Sequence, residues 1–265
     1  MYSPEAYEDL LQTIVESGYR VVDFAGLDPE SDERQVVLRH DVDLIPRLAL
    51  EAAAIDARCG AAATFLVLPR SHAYNLFSRP TLEVLTAIER LGHTIGVHCA
   101  LPPSKPETER DLVTLVREDV ELARLAFPAI APLFAWHTVP AAFFERWAGL
   151  TVPGLVNAYD ARFFSRITFM SDSNARRSPG EIQDVFRRSA HRKVQLLIHP
   201  VIWMCGGATM MEVLSNAWKY FVREIEVELN VNDTYRDQLP DGIPEETLRA
   251  LSGAVLARSG QVKTV

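Results

Sequence analysis

The feature that most constrains this chain is a regular alternation of short apolar runs with longer amphipathic segments. The apolar runs cover residues 36–43, 63–68, 93–99, 132–139, 155–159, 167–170 and 194–199. The segments between most of them have helical spacing and are roughly 10–20 residues long. Strands that alternate with helices in this way predict a parallel sheet built from βα units. Because no low-complexity linker interrupts the pattern, it favours one α/β barrel or doubly wound domain over two domains.

Two flanking segments complete the predicted organisation. Ser3-Pro4-Glu5 is a helix-start signal, with a capping serine, then proline in the first turn, then an acid. A last helical pattern runs from Glu245 to Ala257. We therefore divide the chain into an N-terminal helix and lead-in (1–35), a central α/β domain (36–229) and a C-terminal helical extension packed on it (230–265).

Charge and composition exclude several functional classes. Lys and Arg number 27 against 35 Asp and Glu, which gives a net charge of −8. Nucleic-acid binders usually carry a basic excess, so no nucleic-acid partner is expected. No apolar run is long enough to span a membrane, and the first residues lack a signal-peptide pattern. We expect a cytoplasmic protein, with a homo-oligomer left open.

The three cysteines do not provide a metal site. Cys59, Cys99 and Cys205 lie far apart, and none of them forms a CxxC pair. A disulfide framework or a cysteine-ligated zinc ion is therefore not expected.

Titratable residues collect at the predicted carboxyl ends of four strands. These ends are Arg39-His40-Asp41-Val42-Asp43, His98, His137 and His199. Strands buried on both faces should be apolar throughout, and the carboxyl ends of parallel strands are where active sites form. The strand period of two places Arg39, Asp41 and Asp43 on one face, with His40 on the other.

This mixture of residue types favours a metal. Aspartate and histidine without cysteine suit Zn²⁺ or another divalent transition metal. Asp41 and Asp43 repel each other, and a metal ion or a neighbouring cation relieves that cost. With three protein ligands and an open position, the metal would acidify water while a spare carboxylate removes a proton, which gives metal-assisted hydrolysis. The two aspartates could instead cap the helix that follows them.

Four motifs follow one another along the chain. They are Leu38-Arg-His-Asp-Val-Asp43, Ala63-Thr-Phe65, Gly92-His-Thr-Ile-Gly-Val-His98 and Leu197-Ile-His199. In this order they resemble the motifs of the NodB-homology polysaccharide deacetylases, carbohydrate esterase family 4. The first motif resembles the branch that carries Arg-His-Asp-Val-Asp. The resemblance covers about residues 36–203 and implies a distorted (β/α)7-type barrel, which makes residues 36–229 a NodB-like barrel domain.

The resemblance also implies roles for the matched residues. Asp41 matches the catalytic base, and His199 matches the general acid toward the leaving amine. Asp43 and His98 match two ligands of the metal, typically Zn²⁺.

The chain departs from the family pattern in two places. The second metal histidine of the family falls on Pro102, so we expect His137 to supply the third ligand. The family's Arg-x-Pro motif is also missing. Four further residues are candidates for orienting the base or contacting substrate: Arg39, Trp136, Asp172 and Trp203.

The leading hypothesis is a metal-dependent hydrolase that removes an acetyl or formyl group from an amino sugar. Its carbohydrate substrate would be a cytoplasmic intermediate of surface polysaccharide or glycoside biosynthesis, nucleotide-linked or lipid-linked. Pro102 suggests an alternative, a catalytically inactive carbohydrate-binding homologue. A metal-free glycosidase-like barrel is a third reading, although Asp41 and Asp43 are too close in sequence to flank a glycosidic bond.

Overall fold

The computed structural model describes residues 1–102 and 108–250. Its strands are β1 (Tyr19–Val22), β2 (Arg34–Val42), β3 (Thr64–Val67), β4 (Thr94–Ala100), β5 (Leu133–His137), β6 (Val156–Asn157), β7 (Thr168–Ser171) and β8 (Lys193–Ile198). Its α-helices are α1 (Pro4–Glu16), α2 (Pro46–Arg58), α3 (Arg79–Arg90), α4 (Glu109–Ala126), α5 (Ala141–Trp147), α6 (Pro179–Arg187), α7 (Pro200–Cys205), α8 (Met210–Leu229) and α9 (Asp233–Gln238).

The strands form one parallel sheet with β2 near its middle. The hydrogen-bonded order is β6-β5-β4-β3-β2-β8-β7. The short strand β1 pairs with the first half of β2, and β3 pairs with the second half of β2. Among the described residues β6 and β7 make no pairing with each other, so the barrel has an open side. This arrangement is the predicted distorted α/β barrel, in a single domain.

Apolar residues fill both faces of the curled sheet. Val36 and Phe65 belong to the larger hydrophobic cluster, which joins the outer face of the strands to the helices. Val37, Leu66 and Phe163 belong to a smaller cluster on the inner face. Neighbouring residues of β2 therefore lie in different cores, as the strand period of two requires. Burial on both faces explains why the strands read as nearly continuous apolar runs.

The seven predicted strands are all present, as β2 to β8. The sequence analysis missed β1, a four-residue strand that follows directly after Gly18, where a φ of 76° turns the chain at the end of α1. The start signal at Ser3 is correct, because its side-chain oxygen accepts the backbone N–H of Ala6.

The C-terminal segment is only partly described. Residues 245–250 are helical, in agreement with the start of the predicted last helix, and the remainder of that helix lies outside the described residues. The division at residues 35 and 229 stays a prediction. No helix in the described part of the chain is long and apolar enough to cross a membrane.

Candidate metal centre and active site

The inner face of the sheet brings the predicted site residues together at the carboxyl ends of the strands. Asp41 lies near the end of β2, and Asp43 follows that strand directly. His98 lies in β4, and His137 is the last residue of β5. His199 follows β8. Parallel strands end at one rim of a barrel, so residues that are far apart in sequence meet there.

Asp43, His98 and His137 form a cluster that could hold a metal ion. Their ligand atoms lie within 4.8 Å of one another. Asp43 Oδ1 is 3.3 Å from His137 Nδ1 and 3.4 Å from His98 Nε2. Ligand atoms around a tetrahedral zinc ion are separated by about 3.3–3.5 Å when each bond is 2.0–2.2 Å long. The two distances from Asp43 therefore fit a three-ligand site, in which a tetrahedral ion would keep one position open.

The orientation of His98 also fits a metal ligand. Its Nδ1 lies 3.3 Å from the carbonyl oxygen of Ala135. A carbonyl oxygen only accepts, so Nδ1 carries the proton and the Nε2 lone pair faces the carboxylates. Asp43 Oδ1 is buried and makes no hydrogen bond of acceptable geometry within the described structure. A cation between converging lone pairs would stabilise them, and the Ala135 carbonyl acts as the outer partner that fixes the tautomer of His98.

The protonation states agree with this geometry. Burial lowers the pKa of His98 to about 4, against the opposing effect of Asp41 and Asp43, so its imidazole is neutral near pH 7. Burial would raise the pKa of Asp43, but the three neighbouring histidines together hold it well below its usual range. A neutral imidazole and an ionised carboxylate are the forms that bind a divalent cation.

Asp41 is held by an arginine from its own strand. The Nε and Nη2 atoms of Arg39 each lie 2.7 Å from one oxygen of the Asp41 carboxylate. Both side chains are almost fully buried, at 0% and 3% exposure. Burial would raise the pKa of Asp41, but Arg39, together with His98 and His199, lowers it, so Asp41 stays ionised and able to accept a proton. Asp41 Oδ2 also lies 3.2 Å from His98 Nε2, at the edge of the cluster.

His199 is oriented by Asp172, which directly follows β7. The Nδ1 atom of His199 donates to Asp172 Oδ1 at 2.6 Å, and its backbone N–H donates to Asp172 Oδ2 at 2.9 Å. The indole N–H of Trp203 donates to the same carboxylate at 2.8 Å. Burial alone would lower the pKa of His199, but Asp172, with Asp41 and Asp43, raises it to about 9. The imidazole is therefore protonated near pH 7, and its Nε2 lies 3.7 Å from Asp43 Oδ2.

The four predicted substrate-contacting or orienting residues do not line an open surface. Arg39, Asp172 and Trp203 are fully buried, and they hold Asp41 or His199 in place. Trp136 is 2% exposed and packs on the outer face, with its ring 5.2 Å from that of Phe143. Strand alternation explains this position, because Trp136 lies between the inward residues Ala135 and His137. Its geometry gives it a packing role rather than a contact with substrate.

His40 belongs to a separate buried group on the other face of β2. Its Nε2 lies 2.9 Å from Asp56 on α2 and 3.2 Å from the hydroxyl of Tyr7 on α1. His93 is also structural, because its Nε2 lies 2.9 Å from the carbonyl of Ala53. Both histidines tie the sheet to the outer helices and are separate from the metal cluster.

The sequence analysis missed Tyr159, which follows β6. Its ring lies 4.8 Å from the guanidinium carbon of Arg39, a cation–π contact. Tyr159 is outside every motif, so no sequence signal identified it.

The sequence matches no protein-family model and no curated protein. Among solved structures it is similar to a peptidoglycan deacetylase of Bdellovibrio bacteriovorus (18% identity, TM-score 0.41), with 80% of this chain and 53% of that one covered. This chain thus spans about half the length of the Bdellovibrio protein.

Two further structures are similar at comparable levels. One is the chitin deacetylase of the fungal pathogen Colletotrichum lindemuthianum (14% identity, TM-score 0.44; 77% of this chain and 87% of that one). The other is a pseudoenzyme of the CE4 family from Bacillus anthracis (14% identity, TM-score 0.42; 76% of this chain and 66% of that one). The CE4 family is the one that the sequence motifs resemble.

Proposed function

We propose that this protein is a metal-dependent hydrolase that removes an acetyl or formyl group from the nitrogen of an amino sugar. The observation that carries the proposal is the position of three kinds of group at one rim: a metal-binding cluster, a buried ionised carboxylate and a protonated imidazole. Hydrolysis of an amide needs each of them, because water must lose a proton, the acyl oxygen gains negative charge, and the leaving nitrogen must be protonated.

Asp43, His98 and His137 are the residues that would hold the cation, of which Zn²⁺ fits the donor set best. A divalent cation in that position supplies Lewis-acid stabilisation of the acyl oxygen and makes water more acidic.

Asp41 acts as the base in this proposal. Its carboxylate is ionised, is fixed in orientation by both nitrogens of Arg39, and lies beside His98 at the edge of the cluster. The side chain of Arg39 therefore does for Asp41 what the missing Arg-x-Pro motif does in the family that the sequence resembles. This role makes Arg39 a positioning residue.

His199 acts as the acid. Asp172 keeps its ring oriented through Nδ1 and leaves Nε2 free to donate its proton toward the rim. Proton transfer to the departing amine then completes the cleavage. Trp203 supports this arrangement through its bond to Asp172.

The proposed substrate is an N-acyl amino sugar from cytoplasmic polysaccharide or glycoside biosynthesis, carried on a nucleotide or a lipid. The test is to incubate zinc-loaded protein with a panel of free, nucleotide-linked and lipid-linked N-acetyl and N-formyl amino sugars and to measure released acetate or formate. We expect acid release that stops when a chelator removes the metal and resumes when Zn²⁺ is added back. If fully metal-loaded protein released no acid from any member of the panel, the inactive carbohydrate-binding alternative would replace this proposal.

A further inference from the structure

Four aromatic rings meet at the open side of the barrel, where β6 and β7 do not pair. We call them the aromatic seam: Phe144 of α5, Tyr159 after β6, Phe164 in the following loop and Phe169 of β7. Phe164 lies 5.4 Å from Phe144, 5.3 Å from Tyr159 and 4.9 Å from Phe169, measured between ring centroids. Phe164 thus contacts each of the other three rings, as Tyr159 also does.

Tyr159 packs against both hydrophobic cores, but the three phenylalanines of the aromatic seam stand apart from them. In the described part of the chain, Phe144, Phe164 and Phe169 neither belong to the two buried clusters nor pack against them as partly buried neighbours. All four rings are partly exposed. Core packing alone does not account for three phenylalanines placed together at a surface, and grouped aromatic residues beside a few fixed polar groups are typical of ligand sites.

One ring connects the aromatic seam to the candidate active site. The Tyr159 ring lies 4.8 Å from the guanidinium carbon of Arg39, and Arg39 holds both oxygens of Asp41. The aromatic seam therefore adjoins Arg39, the residue that holds the proposed base.

We propose that the aromatic seam binds the apolar face of a pyranose ring of the substrate. This inference rests on the proposed function, because it assigns the sugar to a surface beside Asp41. The ring faces are uncharged and flat, which suits the C–H face of a sugar ring and gives no attraction to a phosphate group. Aromatic faces also gain from contacts with partly positive hydrogens at their surface. The seam would thus recognise the sugar itself, whatever carrier is attached to it.

The experiment distinguishes two roles for the aromatic seam: stacking on a sugar ring, and filling space at the open side of the barrel. Phe164→Leu keeps an apolar side chain that can still fill the seam, whereas it removes the flat aromatic face. Phe164→Trp keeps an aromatic face. Phe221→Leu is a matched control, because Phe221 is a partly buried phenylalanine on α8 that is not part of the aromatic seam. Binding of N,N′,N″-triacetylchitotriose to zinc-loaded protein is measured by calorimetry, and zinc content is measured in parallel.

We expect Phe164→Leu to weaken trisaccharide binding roughly two- to tenfold, with unchanged zinc content. Phe164→Trp and Phe221→Leu should bind like the wild type. Phe144→Leu provides a second variant should Phe164→Leu fail to fold. Wild-type affinity in the leucine variants, or no trisaccharide binding by the wild type at millimolar concentration, would overturn the inference. If trisaccharide binding depends on Phe164 but the protein releases no acid, the aromatic seam still binds sugar and only the proposed hydrolase activity is wrong.

Discussion

At the scale of single residues, the buried pair of Arg39 and Asp41 governs how substitutions at the base will behave. Both charges lie out of contact with solvent, and each compensates the other through two hydrogen bonds. Removing one partner of such a pair leaves a buried charge without compensation, whereas replacing both partners by uncharged groups is often tolerated. A substitution at Asp41 therefore changes stability as well as catalysis.

We expect Asp41→Asn to lose turnover by about 10²–10⁴-fold, because an amide cannot accept a proton from water. The same variant should lose about 3–5 kcal/mol of stability, since the charge of Arg39 stays buried beside a neutral group. The double variant Arg39→Met/Asp41→Asn should regain much of that stability and remain inactive. Denaturant unfolding and turnover measured on both variants check this expectation. A single variant as stable as the wild type would show that the pair is not energetically coupled.

Asp172 should set the basic limb of the pH–rate profile through His199. The protonated imidazole is the donor, so activity is present below its pKa of about 9 and is lost as the pH rises through that value. In Asp172→Asn the charge that raises this pKa is absent while burial still lowers it, so the limb should move to lower pH. Trp203→Phe is the control, because it removes one hydrogen bond to Asp172 and keeps the carboxylate charge. An unchanged basic limb in Asp172→Asn would show that the limb does not report the titration of His199.

The role of His199 as the acid can be separated from any structural effect by the choice of leaving group. An amide nitrogen must be protonated before it leaves, whereas a nitrophenolate leaves without help. His199→Ala should therefore slow amide cleavage by about 10²–10⁴-fold and slow cleavage of a nitrophenyl ester far less. Equal losses for the two substrates would show that His199 does not protonate the leaving group.

At the scale of the elements, close spacing of β3, β4 and β5 positions the metal ligands. Gly96 precedes His98 by two residues on the same face of β4. A Cβ atom at Gly96 would lie 2.8 Å from Leu66 Cδ2 and 2.9 Å from the carbonyl oxygen of Leu133. The sheet therefore has no room for a side chain at this point, and the backbone of Leu133 cannot move without moving β5.

We expect Gly96→Ala to cost roughly 1–3 kcal/mol of stability, as overpacking in a core does. It should also weaken zinc binding, because β4 carries His98 and β5 carries His137. Gly180→Ala in α6 is the matched control, since nothing lies within 4 Å of its added Cβ, and it should be neutral or slightly stabilising. Thermal unfolding and zinc titration measure both effects. Unchanged zinc affinity in Gly96→Ala would show that the ligands do not depend on this strand spacing.

The elements also show what the sequence could predict. The period of two in β2 was enough to separate Asp41 and Asp43 from His40, and the carboxyl-end positions were enough to group them with His98, His137 and His199. The pairing of Arg39 with Asp41 needed side-chain geometry that a strand pattern does not contain. Tyr159 and the aromatic seam depend on how the sheet curls toward its unpaired side, so no local pattern revealed them. The prediction that Trp136 orients the base or contacts substrate was wrong, because strand alternation directs its side chain outward.

At the scale of the whole molecule, the two faces of the sheet have different roles: the outer face packs against the helices, and the inner face carries the candidate site. The outer face is joined to the helices by a large apolar core and by buried polar groups such as His40 with Asp56. The inner face ends in charged groups at the carboxyl rim. Stability thus comes mainly from the outer layer, while the inner rim carries residues whose mutual repulsion a metal would relieve. Removing the metal ligands should therefore affect metal content much more than fold.

Metal content is the measurement that tests the central claim most directly, namely that Asp43, His98 and His137 hold one divalent ion. Purified protein is loaded with Zn²⁺, freed of excess metal and analysed by mass spectrometry, beside Asp43→Ala, His98→Ala and His137→Ala. His72→Ala serves as the control, because His72 is an exposed histidine outside the cluster. We predict about one Zn²⁺ per chain in the wild type and the control, with strong loss in the three ligand variants. Near-stoichiometric zinc in Asp43→Ala or His98→Ala would contradict the account.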